Sequence, residues 1–568
     1  MGQEISSIPS AQIVVTLCKK ANIKHIIISP GSRNAPLTIS FAIDPFFKTY
    51  SVVDERCAAF FAMGMAQQLR EPTAVICTSG SAMLNYFPAV SEAFYSQIPL
   101  IVISADRPEH LIDVGDGQTI KQKFVYNDHV GYEAHLKIDD KSGINQDIVD
   151  YNKTEVLNAI KTAWLKSIPV HINAPFDEPL YLKTTELIDG LSETKVSTSG
   201  QNFNDKNTVR HFIKSWNSAQ RKMILVGVNH PQDLEVEDFE VLTKDESLIV
   251  MTETTSNLNH PSFFYSIDGI IAPVELGEDK DELLKKLQPD LLLTFGGMLV
   301  SKKLKAFLRK FKPKHHFHVD PYHANNTFFA DVIHIKVSPS HFFNSVVGQL
   351  EFKASNYYKF WHKIFNHRIL KTKKYVSDIP YSDFWCYDKI FKALPEDILL
   401  HLGNSSCVRY SNLFDLKSGT EVFCNRGTSG IDGSTSTAIG GAVISEKSTY
   451  IITGDLSFFY DSNALWNDAL PQNFKIIIIN NKGGGIFRIL PGDKHDQYFN
   501  TYFETQHHLE ASHLAKMFGF KYSSIHSEEN FRHLINDFIN TDQKSILEIF
   551  TPTELNDKVL LEYFRYIM

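Results

Sequence analysis

The chain has 568 residues, 43% of them hydrophobic and 21% charged, a composition typical of folded proteins that excludes a disordered chain. Its formal net charge of -8 and pI near 6.3 exclude the basic surface typical of nucleic-acid-binding proteins. No segment has the roughly 18 consecutive apolar residues of a membrane span, and the N-terminus lacks the basic start and apolar core of a signal peptide. We therefore expect a cytoplasmic protein of several domains, since one hydrophobic core rarely serves more than about 250–300 residues.

Short apolar segments alternate with helical periodicity along the chain, a pattern typical of parallel sheets covered by helices on both faces. The pattern begins at KHIIIS (24–29), restarts after a polar stretch at KMILVGV (222–228), and restarts again at DILLHLGNS (397–405). It predicts the α/β class with three doubly wound parallel-sheet domains. The predicted boundaries are 1–182, a linker at 183–207, 208–352 and 353–568.

Two predicted strands of the third domain end in polar residues. Asp455 follows STYIITG (448–454), and Asn481 ends FKIIIINN (474–481). Parallel strands end at the same sheet edge, where ligands bind. Asp455, the Asn481 amide and a backbone carbonyl near Gly483 are therefore candidate oxygen ligands for Mg²⁺. Ser457 and the amides that open the next helix are placed to hold a diphosphate.

Either polar dipeptide alone, Gly454-Asp455 or Asn480-Asn481, is typical of an ordinary turn at a strand end. Together with the following KGGG (482–485), they resemble the thiamine-diphosphate motif, which is usually written GDG followed further on by NN. Leu456 stands where the generic motif has its second glycine. The motif as a whole predicts thiamine diphosphate and a divalent cation.

Thiamine chemistry also needs a carboxylate that bonds the aminopyrimidine nitrogen N1′ in a dry cleft. Glu55, in SVVDERCAAFFAMGMA (51–66), is the candidate, because it follows a predicted strand and opens an apolar helix. The alternative is an ordinary glutamate in a first helical turn, where the helix dipole stabilises negative charge.

Segments near both ends of the chain resemble one family, the 2-succinyl-5-enolpyruvyl-6-hydroxy-3-cyclohexene-1-carboxylate synthases of menaquinone biosynthesis. These segments are SPGSRNAPLT (29–38), DERCAAFFAMG (54–64), CTSGSAMLNYFPAVSEA (77–93), SADRPEHLIDVGDGQTIKQ (104–122), GNSSCVR (403–409), NRGTSGIDGSTSTAIG (425–440), GDLSFFYDSNAL (454–465) and NNKGGGIFRILP (480–491). Members of this family carry GDLS rather than GDGS, so Leu456 favours this family within the wider group.

The resemblance implies a transferase that decarboxylates 2-oxoglutarate with thiamine diphosphate and Mg²⁺ or Mn²⁺. The resulting succinyl-semialdehyde carbanion would add in conjugate fashion to isochorismate. The resemblance further implies that the first domain of one chain holds the pyrimidine while the third domain of a partner subunit holds the diphosphate. A homodimer is then the minimum, and a dimer of dimers is common in the superfamily.

The resemblance also implies roles for individual side chains, with Glu55 as the catalytic carboxylate and Asp455, Asn481 and Gly483 as metal ligands. Both substrates are dicarboxylates, for which arginine is the best planar donor. The implied substrate-binding residues are Ser32, Arg33, Arg107, Gln118, Lys302, Ser405, Arg409, Arg426, Ile486, Phe487 and Leu490. The implied cofactor-binding residues are Glu55, Ile431, Asp455, Leu456, Ser457 and Asn481.

Two positions depart from the family pattern. Gly117 lies where some relatives carry Asn, and Lys303 follows Lys302 where Arg is common. The contacts expected at these two places are therefore left open.

Two other functions stay open at this point. Another thiamine-dependent 2-oxo acid decarboxylase, or an acetohydroxyacid synthase, would share the cofactor residues, but these enzymes mostly take small monocarboxylates. A catalytically silent homologue would bind nucleotide or phosphate, although Glu55, Asp455 and Asn481 are intact. A nicotinamide-binding domain is set aside, because no convincing GxGxxG follows the first strand.

Overall fold

A computed structural model describes residues 4–138, 144–191, 193–196, 206–234, 237–490, 494, 496 and 498–568. The N-terminal region forms a parallel sheet of strand order β3-β2-β4-β5-β7-β6, together with a small antiparallel pair, β1 with β8. Its elements are β1 (Ile5–Ser6), α1 (Pro9–Lys20), β2 (His25–Ile28), α2 (Ala35–Ile43), β3 (Lys48–Ser51), α3 (Glu55–Leu69), β4 (Thr73–Cys77), α4 (Ala82–Asn85), α5 (Phe87–Ser96), β5 (Leu100–Asp106), β6 (Glu133–His135), α6 (Gln146–Lys166), β7 (Val170–Pro175) and β8 (Lys183–Thr184).

A second parallel sheet has the strand order β10-β9-β11-β12-β13. The elements of this region are α7 (Lys206–Ser218), β9 (Lys222–Val226), α8 (Glu237–Glu240), β10 (Leu248–Thr252), α9 (Ile267–Leu276), α10 (Lys280–Leu287), β11 (Leu291–Phe295), α11 (Lys302–Lys310), β12 (His315–Val319), β13 (Val332–Ile335) and α12 (Pro339–Val346). Strand β8 lies inside the predicted linker, of which residues 192 and 197–205 fall outside the described part of the chain.

The third parallel sheet has the strand order β15-β14-β16-β17-β19-β18. Its region contains α13 (Tyr357–Asp378), α14 (Asp383–Ala393), β14 (Leu399–Leu402), α15 (Ser406–Ser411), β15 (Glu421–Phe423), α16 (Ser434–Ile444), β16 (Thr449–Gly454), α17 (Asp455–Tyr460), β17 (Lys475–Asn480), α18 (Ile486–Ile489), α19 (Ser512–Met517), β18 (Lys521–Ile525), α20 (Phe531–Ile539), β19 (Ser545–Phe550) and α21 (Asn556–Tyr566).

Burial explains why the apolar segments became parallel strands. In β9 the side chains of Met223 and Leu225 enter one hydrophobic core, while those of Ile224 and Val226 enter another. Successive side chains of a strand point to opposite faces, so a strand that is apolar throughout needs cover on both sides. The structure thus confirms the predicted α/β class with several parallel sheets.

The described chain divides into two compact units. The first unit contains the first sheet with Gly427–Thr449 and Ser457–Phe474, and the second unit contains the second and third sheets. The three domain boundaries proposed from the sequence stay a prediction. Within the described ranges, no helix is long and apolar enough to cross a membrane.

Helices α3 and α16 of the first unit pack at unusually close range. A Cβ added at Gly64 would lie 2.1 Å from the Thr437 carbonyl oxygen, and one added at Gly440 would lie 2.1 Å from the Phe61 carbonyl oxygen. Only glycine fits where two backbones approach this closely. The contact fixes α3, the helix that Glu55 opens.

We expect Gly64→Ala and Gly440→Ala each to destabilise the protein. Overpacking costs about 1–3 kcal/mol, and replacing glycine by alanine in a helix gains ~1 kcal/mol. The net loss of stability is therefore up to about 2 kcal/mol. The midpoint of chemical denaturation measures this loss. Gly348→Ala is the control, because a Cβ there meets nothing within 4 Å; equal midpoints for all three variants would contradict the close contact.

Candidate active site

Glu55 is the first residue of α3 and is half-buried. The preceding Asp54 caps the helix: one carboxylate oxygen accepts from the Cys57 amide at 3.1 Å and the other from the Asn463 amide at 2.8 Å. Burial, with a smaller contribution from the Asp54 charge, raises the pKa of Glu55. A carboxyl group with a raised pKa is suited to share a proton with a heterocyclic nitrogen.

Arg33 and Arg107 form a pair of like charges in the first unit. Arg33 is 4% exposed and donates to the Phe176 carbonyl at 3.0 Å, with the exposed Glu178 at 3.3 Å. Burial lowers the pKa of the Arg33 guanidinium, and the Arg107 charge lowers it further. The Nε atoms of both arginines are buried without a hydrogen-bond partner. The pair therefore favours an anion with planar acceptors.

Gln118 lies close to this pair, because Arg107 donates to the carbonyl of the neighbouring Gly117 at 3.3 Å. Its backbone has a φ of 56° and packs against the turn at Gly80. The Gly80 amide donates to the buried Gln122 side chain at 2.9 Å, which fixes this turn. Ser32, by contrast, is exposed in the loop between β2 and α2.

Asp455 and Asn481 meet at the carboxyl edge of the third sheet, as predicted from the strand ends. Strands β16 and β17 are parallel, with Gly454 paired to Ile479. Asp455 is 2% exposed and accepts from the Leu456 amide at 2.7 Å and the Gly483 amide at 2.9 Å, with His507 Nε2 at 3.2 Å. Asn481 is 7% exposed, and its Oδ1 is buried without a hydrogen-bond partner.

These residues fit a divalent cation. A buried amide oxygen without a donor is costly, and a hard cation beside a carboxylate satisfies it. Gly483 has a φ of 151°, and a Cβ there would lie 2.5 Å from the Glu504 carbonyl oxygen, so no other residue fits this turn. Its own carbonyl accepts from the Gly485 amide at 3.0 Å and keeps one lone pair for a ligand.

A second arginine pair, Arg409 and Arg426, lies in the second unit. Arg409 lies in α15, just after Ser405, whose φ of 66° is rare for serine. Burial lowers the pKa of Arg409, and the Arg426 charge adds to this effect. Arg426 is 9% exposed and donates to the Asn404 side chain at 2.7 Å. Two clustered guanidinium groups again favour an anionic ligand.

The second sheet brings a lysine and a glutamate to this arginine pair. Glu253, 4% exposed, accepts from the Val300 and Ser301 amides, both at 2.7 Å, and so holds the start of α11. Burial raises the pKa of Glu253 to about 7. Burial lowers the pKa of Lys305, and the Arg426 and Arg409 charges lower it further while Glu253 opposes them. Lys302, the expected cation of this region, is exposed at the first residue of α11.

The apolar residues expected at the site are unusually open to solvent. Ile431 is 41% exposed, Phe487 36% and Leu490 43%, and Ile486 is partly exposed. The Ser457 hydroxyl donates to the Ile431 carbonyl at 2.6 Å. Exposed apolar groups beside polar ones are typical of ligand-binding surfaces.

Comparisons with known proteins agree with this geometry. The N-terminal thiamine pyrophosphate binding domain of thiamine pyrophosphate enzymes matches residues 9–128, and the C-terminal one matches residues 403–549. A 2-succinyl-5-enolpyruvyl-6-hydroxy-3-cyclohexene-1-carboxylate synthase of Flavobacterium johnsoniae is 51% identical over 98% of both chains. A synthase of the same name from Christiangramia forsetii is 48% identical over 99% of both chains. One from Porphyromonas gingivalis is 35% identical over 100% of this chain and 98% of the relative.

The chain belongs to this synthase family. Membership confirms the resemblance inferred from the motifs and the thiamine-diphosphate-dependent enzyme class. The roles of individual residues stay predictions.

Three residues near the candidate site were not found from the sequence. Asp383 accepts from the Asn481 side-chain amide at 3.1 Å, and Glu253 and Lys305 lie near Arg426. Glu253 and Asp383 lie outside every motif, and no local signal marks them. Lys305 lies three residues after Lys302 on α11, and this helical spacing would have pointed to it.

We expect Glu55→Gln to lower kcat by about 10²–10⁴-fold, the usual contribution of a positioned acid–base group. Because the folded-state pKa of Glu55 is raised, the wild-type carboxyl costs stability as pH rises through the unfolded and then the folded pKa. The glutamine variant escapes this cost, so at neutral pH it should resist denaturant at least as well as the wild type. Steady-state kinetics measure kcat, and chemical denaturation measures stability, with Glu193→Gln at an exposed position as the control. Near-normal turnover of Glu55→Gln would refute the assigned role.

Proposed function

We propose that this protein catalyses the synthase reaction of its family: it decarboxylates 2-oxoglutarate and joins the remaining four-carbon unit to isochorismate, a step of menaquinone biosynthesis. The observation that carries the proposal is near 50% identity over almost the full chain to synthases of this name. Each turnover consumes one molecule of each substrate and releases CO₂.

Thiamine diphosphate, when bound, supplies the nucleophilic carbon and the electron sink for decarboxylation. Asp455, Asn481 and the Gly483 carbonyl would hold Mg²⁺ or Mn²⁺, and Ser457 and Leu456 would contact the diphosphate. Ile431 would support the cofactor rings. Glu55 would hold a proton at the aminopyrimidine nitrogen N1′.

The chain's cations would bind the substrate carboxylates. The two pairs are Arg33 with Arg107 and Arg409 with Arg426. Burial lowers the pKa of Arg33 and of Arg409, and the charge of the other arginine in each pair lowers it further. Ser32, Gln118 and Ser405 would add hydrogen bonds, and Ile486, Phe487 and Leu490 an apolar wall. We add Lys305 to the predicted Lys302 as a cation from the second sheet.

We also propose a cytoplasmic homodimer or dimer of dimers, in which one chain's pyrimidine-binding domain serves the partner's diphosphate-binding domain. The support is that separate N-terminal and C-terminal thiamine pyrophosphate binding domains match residues 9–128 and 403–549 of the chain.

A different thiamine-dependent 2-oxo acid decarboxylase is the alternative function. Enzymes of that kind that take pyruvate need to bind only one carboxylate. The two arginine pairs and Lys305 favour larger, dianionic substrates instead.

The deciding experiment measures CO₂ release from 2-oxoglutarate by the purified protein with thiamine diphosphate and Mg²⁺, with and without isochorismate. The proposed function requires that isochorismate raises turnover and disappears in step with CO₂ formed. Activity with pyruvate alone would support the alternative, and activity that is independent of thiamine diphosphate would overturn both.

Arg409→Ala should raise KM for a dicarboxylate substrate or lower kcat/KM by about 10–100-fold without releasing thiamine diphosphate, since a charged hydrogen bond contributes about 1.5–3 kcal/mol. Arg409→Lys keeps the charge but loses the planar arrangement of donors, so its kcat/KM should lie between those of the wild type and Arg409→Ala. Kinetics and cofactor titration by fluorescence separate substrate from cofactor effects. Arg532→Ala, exposed on α20, is the control; loss of cofactor binding in Arg409→Ala would place this residue elsewhere.

A further inference from the structure

The orientation of the Asn481 side chain decides whether it can bind a cation. An amide has an oxygen that accepts and a nitrogen that only donates, and the two ends are almost the same shape. Only the oxygen can serve as a metal ligand. Something outside Asn481 must therefore hold the amide with its oxygen toward the cation.

Asp383, the first residue of α14, lies against the nitrogen end of that amide. The Asn481 Nδ2 donates to Asp383 Oδ2 at 3.1 Å, and the Thr551 hydroxyl donates to Asp383 Oδ1 at 2.6 Å. The Asp383 backbone amide is also fixed, since it donates to Asn556 Oδ1 at 2.8 Å. With both of its oxygens accepting, the Asp383 carboxylate can pair only with the NH₂ end of Asn481.

The oxygen end of the Asn481 amide has no hydrogen-bond partner. Asn481 Oδ1 is buried and has no hydrogen-bond partner, although both Asn481 and Asp383 are less than 10% exposed. A buried acceptor is normally paired, so an acceptor left unpaired by a locked side chain marks the place of an absent ligand. Turning the amide over would put its oxygen against a carboxylate that already accepts, which repulsion prevents.

We propose that Asp383 is the positioning residue of the metal site, which locks the Asn481 amide so that its oxygen faces the divalent cation. The inference rests on the metal site proposed above. Residues behind metal ligands commonly act in this way, and their loss weakens metal binding by about 10–100-fold.

A merely structural role makes a different prediction. The Asp383 carboxylate accepts from the Thr551 hydroxyl, just after β19, so loss of this side chain also affects stability. Its backbone amide donates to Asn556, a bond that every side-chain variant keeps. Thr551→Val removes one hydrogen bond from the same carboxylate without touching Asn481, and serves as the matched control. If Asp383 were only structural, both variants would change stability and neither would change metal affinity selectively.

The experiment titrates the full-length protein with Mn²⁺ in the presence of thiamine diphosphate and measures free Mn²⁺ by electron paramagnetic resonance. We expect Asp383→Ala to weaken Mn²⁺ binding by about 10–100-fold, and Asp383→Asn, which keeps the shape but accepts or donates equally well, to weaken it by about 10-fold. Thr551→Val should keep wild-type affinity while its melting temperature falls. Asp383→Asn carries the test by itself if Asp383→Ala does not fold.

Three results would overturn the inference; Asn481→Ala separates the first two, and Thr551→Val reveals the third. Wild-type affinity in the Asp383 variants together with lost affinity in Asn481→Ala would reject the positioning role and leave the metal site intact. Wild-type affinity in Asn481→Ala as well would reject the metal site itself. Equal weakening in Thr551→Val and Asp383→Ala would show a structural effect and also reject the positioning role.

Discussion

The parallel pairing of β16 and β17 is the constraint on which the candidate site depends. The register that sets Gly454 beside Ile479 brings Asp455 and Asn481, far apart in sequence, to one edge of the sheet. Both strands are buried on both faces, so the register cannot slip without moving apolar side chains out of the core. The hydrophobic core thereby fixes the position of polar groups that contribute nothing to it.

Loss of contact with water shifts the pKa values of the charged side chains at the candidate site. It is the largest cause of the raised pKa of Glu55 and of Glu253, and of the lowered pKa of Arg33, Arg409 and Lys305. In each case burial disfavours the charged form of the side chain. Arg33 and Arg409 are the clearest cases, because a neighbouring arginine makes the charged form of each still less favourable.

The sequence predicted the parts of this structure that local pattern controls. Apolar strands such as β17 and β9 were found because a fully buried strand reads as a continuous apolar segment, and Asp455 and Asn481 because they end such strands. Asp383 could not be found in this way, since it contacts Asn481 from 98 positions away and looks locally like any helix-opening aspartate. A sequence motif predicted Lys302 as the cation of this region. The charges of Arg426 and Arg409 act on Lys305 instead, and no local sequence pattern encodes how α11 lies relative to these arginines.

The paired arginines also affect how the protein must be handled. A cluster of guanidinium groups attracts any compact multivalent anion, not only a substrate, and the buried Nε–H groups of Arg33, Arg107 and Arg409 have no hydrogen-bond partner. If these arginines bind the substrate carboxylates as proposed, phosphate or sulfate buffers would bind the same groups, stabilise the folded protein by mass action and compete with dicarboxylates. A substrate affinity measured in such a buffer reflects the difference in binding free energy between the substrate and the buffer anion. The buffer anion must therefore be stated with any measured specificity.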